Sequence, residues 1–236
     1  MTTLSGSSVL IVGASGVLGA EIARLLAAAG ARLTLSGRDA SKLAALNIPG
    51  TVVAADLTQA DAPNQLVSAA VTAYGGLDGI VNAAGLVAFG AASEVADDTL
   101  DTLFAVNAVA PMRLLAASNE ALAASGAAGR EPFVLTLSGV VSEAPTAGMA
   151  AYSASKAALA AWSKASAREL RRTGIRMLDA RPGHTDTGLA TRPIAGAAPK
   201  LAGGLDPAFV ARRIVAAIES NERDLPGSAF ADPAAA

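Results

Sequence analysis

The chain has 236 residues, 18 basic against 20 acidic side chains, one histidine and no cysteine. That length suffices for one domain with a full core. The near-neutral charge gives no case for nucleic acid or an anionic surface as partner, and the side-chain inventory excludes disulfides, thiolate nucleophiles and cysteine metal sites while leaving little for a histidine cluster, so no metal is expected.

Hydrophobic residues make up 52% of the chain, much of it alanine. No apolar run reaches the roughly 18 residues of a spanning helix, and Met1–Ser8 lacks the regions of a signal peptide. The expectation is a cytoplasmic protein with no membrane segment. Strand-like and helix-like segments then alternate along the whole chain. A buried strand at Ser8–Val12 leads into a helix over Gly16–Ala29, ended by Gly30. Arg32–Ser36 is the second strand, Ser41–Leu46 a short helix and Val52–Ala54 the third strand. A helix over about Gln65–Tyr74 precedes the fourth strand, Gly79–Asn82. A long helix over roughly Asp97–Ala124 precedes the fifth, Phe133–Leu137, and another near Ala150–Thr173 precedes the sixth, Arg176–Ala180. Pro207–Ser220 reads as helix, and a last short strand is expected near Ser228–Phe230. Such alternation argues for α/β architecture, a parallel sheet covered on both faces. Two segments break the pattern, Gly139–Gly148 and Gly188–Gly204. Both follow the C-terminal ends of strands, where open α/β sheets bind ligands, and the second has the length of a substrate loop.

The first strand runs into Gly13-Ala14-Ser15-Gly16-Val17-Leu18-Gly19 and then a helix. Glycines at such a junction permit a tight turn, close backbone approach to phosphate and close helix–sheet packing. The helix start offers free N–H groups and a positive dipole end to a pyrophosphate. Gly13, Ser15, Gly16, Val17 and Leu18 are therefore candidate cofactor contacts. The second strand ends Leu35-Ser36-Gly37-Arg38, where an NAD site usually places an acid for the ribose hydroxyls. Here Arg38 offers a guanidinium suited to a 2′-phosphate, unless it is a surface residue paired with Asp39. NADP(H) is thus expected over NAD(H). Asp56-Leu57 is placed to receive an adenine amino group or to cap a turn. Asn82-Ala83-Ala84-Gly85 puts small residues where a cofactor needs close backbone contact.

Tyr152 and Lys156 stand four residues apart in a helical stretch, hence on one face. A tyrosine titrates near ~10; a neighbouring cation would lower that value and make the phenol a usable general acid/base, the alternative being a buried tyrosine with a solvated lysine one turn later. Asn107 lies inside an apparent helix where asparagine is a mediocre choice. Pro111, four residues on, has no N–H to give its carbonyl, which leaves that carbonyl free for another donor.

Together these residues resemble the short-chain dehydrogenase/reductase family, in its compact single-domain branch. The match runs through Gly13/Gly16/Gly19, Asp56, Asn82-Ala83-Ala84-Gly85, Asn107, the Ser138 region, Tyr152/Lys156 and Pro182-Gly183 to Thr187. The resemblance implies a Rossmann-type doubly wound sheet in three α/β/α layers, one domain over 1–236, and hydride transfer between a nicotinamide and a carbonyl or secondary alcohol carbon. By the same resemblance Tyr152 protonates the carbonyl oxygen, Lys156 lowers the tyrosine pKa and holds the nicotinamide ribose, and Asn107 holds a water in a proton relay. Pro182, Gly183, Thr185 and Thr187 contact the nicotinamide side, and the Ala-rich helices at 97–124 and 150–173 form a homodimer or homotetramer.

Two departures stand out. The glycine spacing is Gly-x-x-Gly-x-x-Gly, commoner in longer epimerase-like members. The family's catalytic serine, thirteen residues before the tyrosine, falls on Gly139, and Ser138 aligns with the residue before it. Loss of one such donor slows an enzyme by roughly a hundred- to a thousand-fold. Either Ser138 serves after a small shift, or Ser142 reaches in, or the site has lost much of its catalysis and the chain is an NADP(H)-binding sensor or structural subunit. The expected pocket wall is Leu86, Phe89, Val140, Val141, Met149, His184 and Leu189, which favours a small apolar substrate. A Ser-His-Asp hydrolase built on His184 and Asp186 lacks the nucleophile elbow.

Overall fold

A computed structural model describes residues 1–200 and 202–231; Leu201 of the expected substrate loop and the last five residues of the expected 1–236 domain lie outside them. Seven strands form one sheet in the order β3-β2-β1-β4-β5-β6-β7, every neighbouring pair parallel. They are β1 Ser8–Val12, β2 Arg32–Gly37, β3 Thr51–Ala54, β4 Gly79–Asn82, β5 Phe133–Leu137, β6 Arg176–Ala180 and β7 Asp224–Leu225. The helices are α1 Val17–Ala28, α2 Ala40–Ala44, α3 Ala62–Tyr74, α4 Asp97–Phe104, α5 Ala110–Ala127, α6 Ala150–Glu169 and α7 Pro207–Glu219.

Strands β1, β4, β5 and β6 are buried on both faces, which is why apolar residues stand at consecutive positions in each. Their two faces feed two cores. Ile22 and Leu26 of α1 and Ile214 and Ile218 of α7 pack on Ile11, Leu33 and Leu35. Leu66 of α3 and Leu114 and Leu122 of α5 pack on Leu10, Ile80 and Val134. Each such side chain contributes about 1.5–3 kcal/mol by leaving water, and the result is the three-layer, doubly wound Rossmann-type sheet. Strand order reverses between β1 and β4, and the crevice at such a switch point is where open sheets take ligands.

Several elements differ from expectation. Helix α3 starts three residues early, with a proline in its first turn, where the missing N–H costs nothing. The long helix at 97–127 is interrupted by a π-helical turn, Ala105–Val109. This insertion surrounds Asn107, and Pro111 beyond it removes the donor that an α-helical bond to Asn107 needs. By length and composition the run Asp97–Ala127 is apolar enough to cross a membrane, which amends the sequence expectation; in the fold its Leu114 and Leu122 are core residues. The final strand is Asp224–Leu225, not Ser228–Phe230, and Gly227–Phe230 forms a 3₁₀ turn. Phe230 is apolar there because it plugs the α1–α7 core, not because it pairs with a strand.

Candidate active site

The nucleotide end forms where β1, β2 and β4 finish. The N–H groups of Gly13 and Ala14 both donate to Ser36 O, at 2.9 and 2.8 Å, which lashes the glycine loop to β2. Gly13 has φ +81°, and a Cβ on it would lie 2.5 Å from Ala84 N; only glycine lets the two strand-end loops touch. Helix α1 is capped by Gly16 with no side-chain hydrogen bond, so the first-turn N–H groups stay available, and Val17 is 44% exposed. Asn82 Oδ1 is buried without a hydrogen-bond partner among the described residues.

At the ribose end, Gly37 closes β2 and a Cβ on it would lie 2.7 Å from Ser15 Oγ. The position that usually carries the acid is thus filled by Ser15. Asp39 caps α2 by accepting from Ser41 N and Lys42 N, and no bond or ion pair joins it to Arg38, which is exposed. Asp56 Oδ1 accepts from Thr58 N and Thr58 Oγ1, at 3.0 and 2.9 Å, so it caps its own turn. Leu57 packs partly against the α3–α5 core.

The chemistry-bearing residues converge over the ends of β4, β5 and β6. Tyr152 and Lys156 occupy successive turns of α6 and are 9% and 5% exposed. Lys156 Nζ donates to Leu137 O at 2.7 Å, and a Cβ on Gly85 would lie 3.3 Å from Nζ and 3.5 Å from Asn107 Oδ1. Asn107 works through its side chain. Its Oδ1 accepts from Leu86 N at 2.8 Å, and its Nδ2 donates to Leu86 O at 2.9 Å and to Ser155 Oγ at 3.0 Å. Burial pushes the Tyr152 phenol up to about 12. Burial also holds the Lys156 ammonium down at about 8, against the pull of the Asp179 carboxylate. Desolvation of the phenol thus acts against the lowering expected from a neighbouring lysine.

The serine question takes a definite form. Gly139 has φ 75° and ψ 163°, a combination open essentially to glycine alone. Ser138 is fully buried and its hydroxyl donates to Asp179 Oδ2 at 2.6 Å. This corrects its candidacy as a substrate contact, because its one proton is committed. Ser142 Oγ donates to Gly139 O at 2.7 Å, with Ser138 Oγ 3.2 Å away. Asp179 also accepts from Thr136 Oγ1 at 2.8 Å and pairs with Arg181 Nη1 at 3.1 Å. Arg181 pairs in turn with Glu143 and with Asp224. Sequence reasoning missed this cluster; its signal was an acid inside an otherwise apolar strand, Met177-Leu178-Asp179-Ala180.

Beyond β6, Pro182 is buried and Gly183 partly so. Thr185 Oγ1 donates to Gly183 O at 3.0 Å, and Thr187 Oγ1 accepts from Leu189 N at 3.4 Å. Tyr152 shares an apolar cluster with Val87, Ala88, Phe89 and Leu103, flanked by Leu86, Val141, Met149 and Leu189. Five expected wall residues are therefore brought together. Val140 instead meets the Gly227 turn. His184 lines a separate cavity of about 590 Å³ with Asp186, Thr191 and Pro193, its Nε2 3.5 Å from Asp186 Oδ1. A second cavity of about 280 Å³ lies between Phe89–Thr99 and Met149–Ala151. The loop after Gly188 closes over the cluster: Phe89 N donates to Ala195 O and Ile194 N to Val87 O, both at 2.9 Å. Among the described residues no group of acids or histidine is arranged to hold a metal.

A family model described as short chain dehydrogenase matches residues 7–195. The cyclic-di-GMP-binding biofilm dispersal mediator protein of Escherichia coli is 37% identical over 190 residues, covering 79% of this chain and 76% of that protein. Ketoacyl reductase HetN of Nostoc sp. is 31% identical, over 95% of this chain and 79% of its own length. A metagenomic short-chain oxidoreductase solved in complex with NADP superposes with a TM-score of 0.76 at 30% identity, covering 95% of this chain and 98% of that one.

Proposed function

The chain belongs to the short-chain dehydrogenase/reductase family and is an NAD(P)-dependent oxidoreductase, and from that premise we propose that it uses NADP(H) to interconvert a carbonyl and a secondary alcohol on a small apolar compound. The observation that carries this reading is the convergence of Tyr152, Lys156, Asn107 and Gly85 at one end of the sheet.

The donor set fits a nicotinamide dinucleotide: uncapped N–H groups at Val17 and Leu18, small residues at Ala83–Gly85 and an Asn82 oxygen without a partner among the described residues. When bound, the cofactor supplies the hydride. Gly13, Ser15, Gly16, Val17 and Leu18 hold its phosphates, with Asp56 and Leu57 at the adenine. Pro182, Gly183, Thr185 and Thr187 line its nicotinamide side. Arg38 takes the 2′-phosphate, supported by its lack of an acidic partner among the described residues and by Ser15 standing where an acid would project.

Tyr152, with its proton held up to about 12 by burial, enters reduction as the protonated acid and gives that proton to the substrate oxygen. Lys156, fixed on Leu137 O, stabilises the phenolate left behind. Asn107 sets the Leu86 backbone and, through Ser155, the helix turn carrying Tyr152. The apolar cluster around Tyr152 excludes water and favours an apolar substrate. The Ala-rich outer faces of α5 and α6 support a homodimer or homotetramer.

The second reading is an NADP(H)-binding protein with little turnover, favoured by Gly139 and by the commitment of Ser138 to Asp179. A panel of carbonyl compounds with NADPH, run beside Tyr152→Phe, separates the two. Oxidation of NADPH that disappears in the variant supports the reductase; NADPH binding with no Tyr152-dependent oxidation overturns it.

A further inference from the structure

Asp179 stands on β6 directly opposite Thr136 of β5, inside a buried strand between the apolar Leu178 and Ala180. A carboxylate in such a place is costly unless it is paired and hydrogen-bonded. Two of its partners tie it to the strand end beside Lys156. Its Oδ2 accepts from Ser138 Oγ at 2.6 Å and its Oδ1 from Thr136 Oγ1 at 2.8 Å. Ser138 directly follows Leu137, whose carbonyl receives the Lys156 ammonium at 2.7 Å. One carboxylate therefore fixes the peptide that seats the lysine and places a negative charge near it.

We propose that Asp179 is a positioning residue for Lys156, holding the Leu137–Ser138 peptide through the Ser138 hydroxyl and keeping the buried ammonium charged. The proposal rests on the reductase reading only for its consequence in turnover. The charged groups around the cluster are Arg181 just after β6, which shares Asp179 Oδ2 at 3.1 Å, and, through Arg181, Glu143 of the β5–α6 loop and Asp224 of β7. Tyr152 stands one turn from Lys156 on α6, within the Val87–Phe89–Leu103 cluster. Arg181 is thus a counterweight: it anchors Asp179 and draws off part of its field. The Coulomb effect of Asp179 on Lys156 acts in the direction the proposal requires.

The chain has four lysines, Lys42, Lys156, Lys164 and Lys200, so a lysine side-chain NMR titration of the full protein is sparse, and the signal lost in Lys156→Met assigns Lys156. This readout needs no turnover, so an inactive wild type would sink the reductase reading without touching it. Asp179→Asn keeps the shape and removes the charge; the Lys156 midpoint is expected to move to lower pH. Arg181→Met removes the counterweight; the midpoint is expected to move to higher pH. A change in melting temperature without movement of the midpoint marks Asp179 as structural only and overturns the proposal. So does movement in the same direction in both variants, or failure of both to fold. If only one variant folds, the sign of its shift decides.

Discussion

The side-chain amide of Asn107 pairs with the backbone of Leu86 in both directions, accepting from its N–H at 2.8 Å and donating to its carbonyl at 2.9 Å. Asparagine at 107 thereby acts as a short strand partner for a strand-end loop that has none. Asn107→Leu leaves both Leu86 groups unpaired in a partly buried setting, at about 1–3 kcal/mol. Urea unfolding should show a midpoint shift of that size with an unchanged slope, and turnover should fall by more than the folded fraction falls.

Gly139→Ser writes back the serine that the family usually carries, yet the backbone there has φ 75° and ψ 163°. A serine held in that conformation costs on the order of 1–3 kcal/mol. The expected outcome is a lower melting temperature with no gain in rate. A rise in turnover approaching a hundred-fold would mean that the loop relaxes and accepts the new hydroxyl.

Arg38→Ala should weaken NADPH binding and leave NADH binding nearly unchanged. A hydrogen bond to a charged group is worth about 1.5–3 kcal/mol, or roughly ten- to a hundred-fold in affinity. Fluorescence titration with both cofactors measures it, and equal NADH and NADPH affinity in the wild type would refute the role of Arg38. Gly37→Asp must turn the Ser15 hydroxyl aside, since Ser15 Oγ lies 2.7 Å from the new Cβ; adding Ser15→Gly removes that contact, and NADH affinity should rise more in the double variant than in Gly37→Asp alone.

Stability should depend on pH in the alkaline range with a defined sign. Lys156 is lowered from 10.5 to about 8 by burial, so between those values the unfolded chain binds more protons and stability rises with pH. Tyr152 is raised from 10.0 to about 12, so above the lower value the folded chain binds more protons and stability falls. Unfolding free energy measured from pH 7 upward should therefore climb from about pH 8 and turn over above about pH 10. In Lys156→Met the climb should vanish while the fall remains.

How far the sequence reaches depends on the range of the interaction. Ser8–Val12, Gly79–Asn82 and Phe133–Leu137 are legible as strands because burial on both faces places apolar residues at consecutive positions, Val9–Val12, Ile80–Val81 and Phe133–Leu135. Tyr152 and Lys156 are legible because their relation is one helical turn. The π turn around Asn107 is half legible: Pro111 announces a missing donor, but the grip on Leu86 requires two segments 21 residues apart to meet. The commitment of Ser138 is out of reach, since it depends on β5 lying beside β6 in one register, Thr136 against Asp179. The last strand is misread for a similar reason. Ser228–Phe230 has the apolar character, whereas Asp224–Leu225 is set in place by Arg181 and the edge of β6.

The two main-chain bonds joining Val87 and Phe89 to Ile194 and Ala195 make a seam across the mouth of the Tyr152 cluster. A molecule that comes in or leaves on that side must unzip it. Two such bonds are worth about 1–3 kcal/mol together, so the parted form is a minority that still recurs constantly. For a substrate taking that route, admission would be a clock as well as a filter, since the seam would have to part before any proton or hydride transfer behind it.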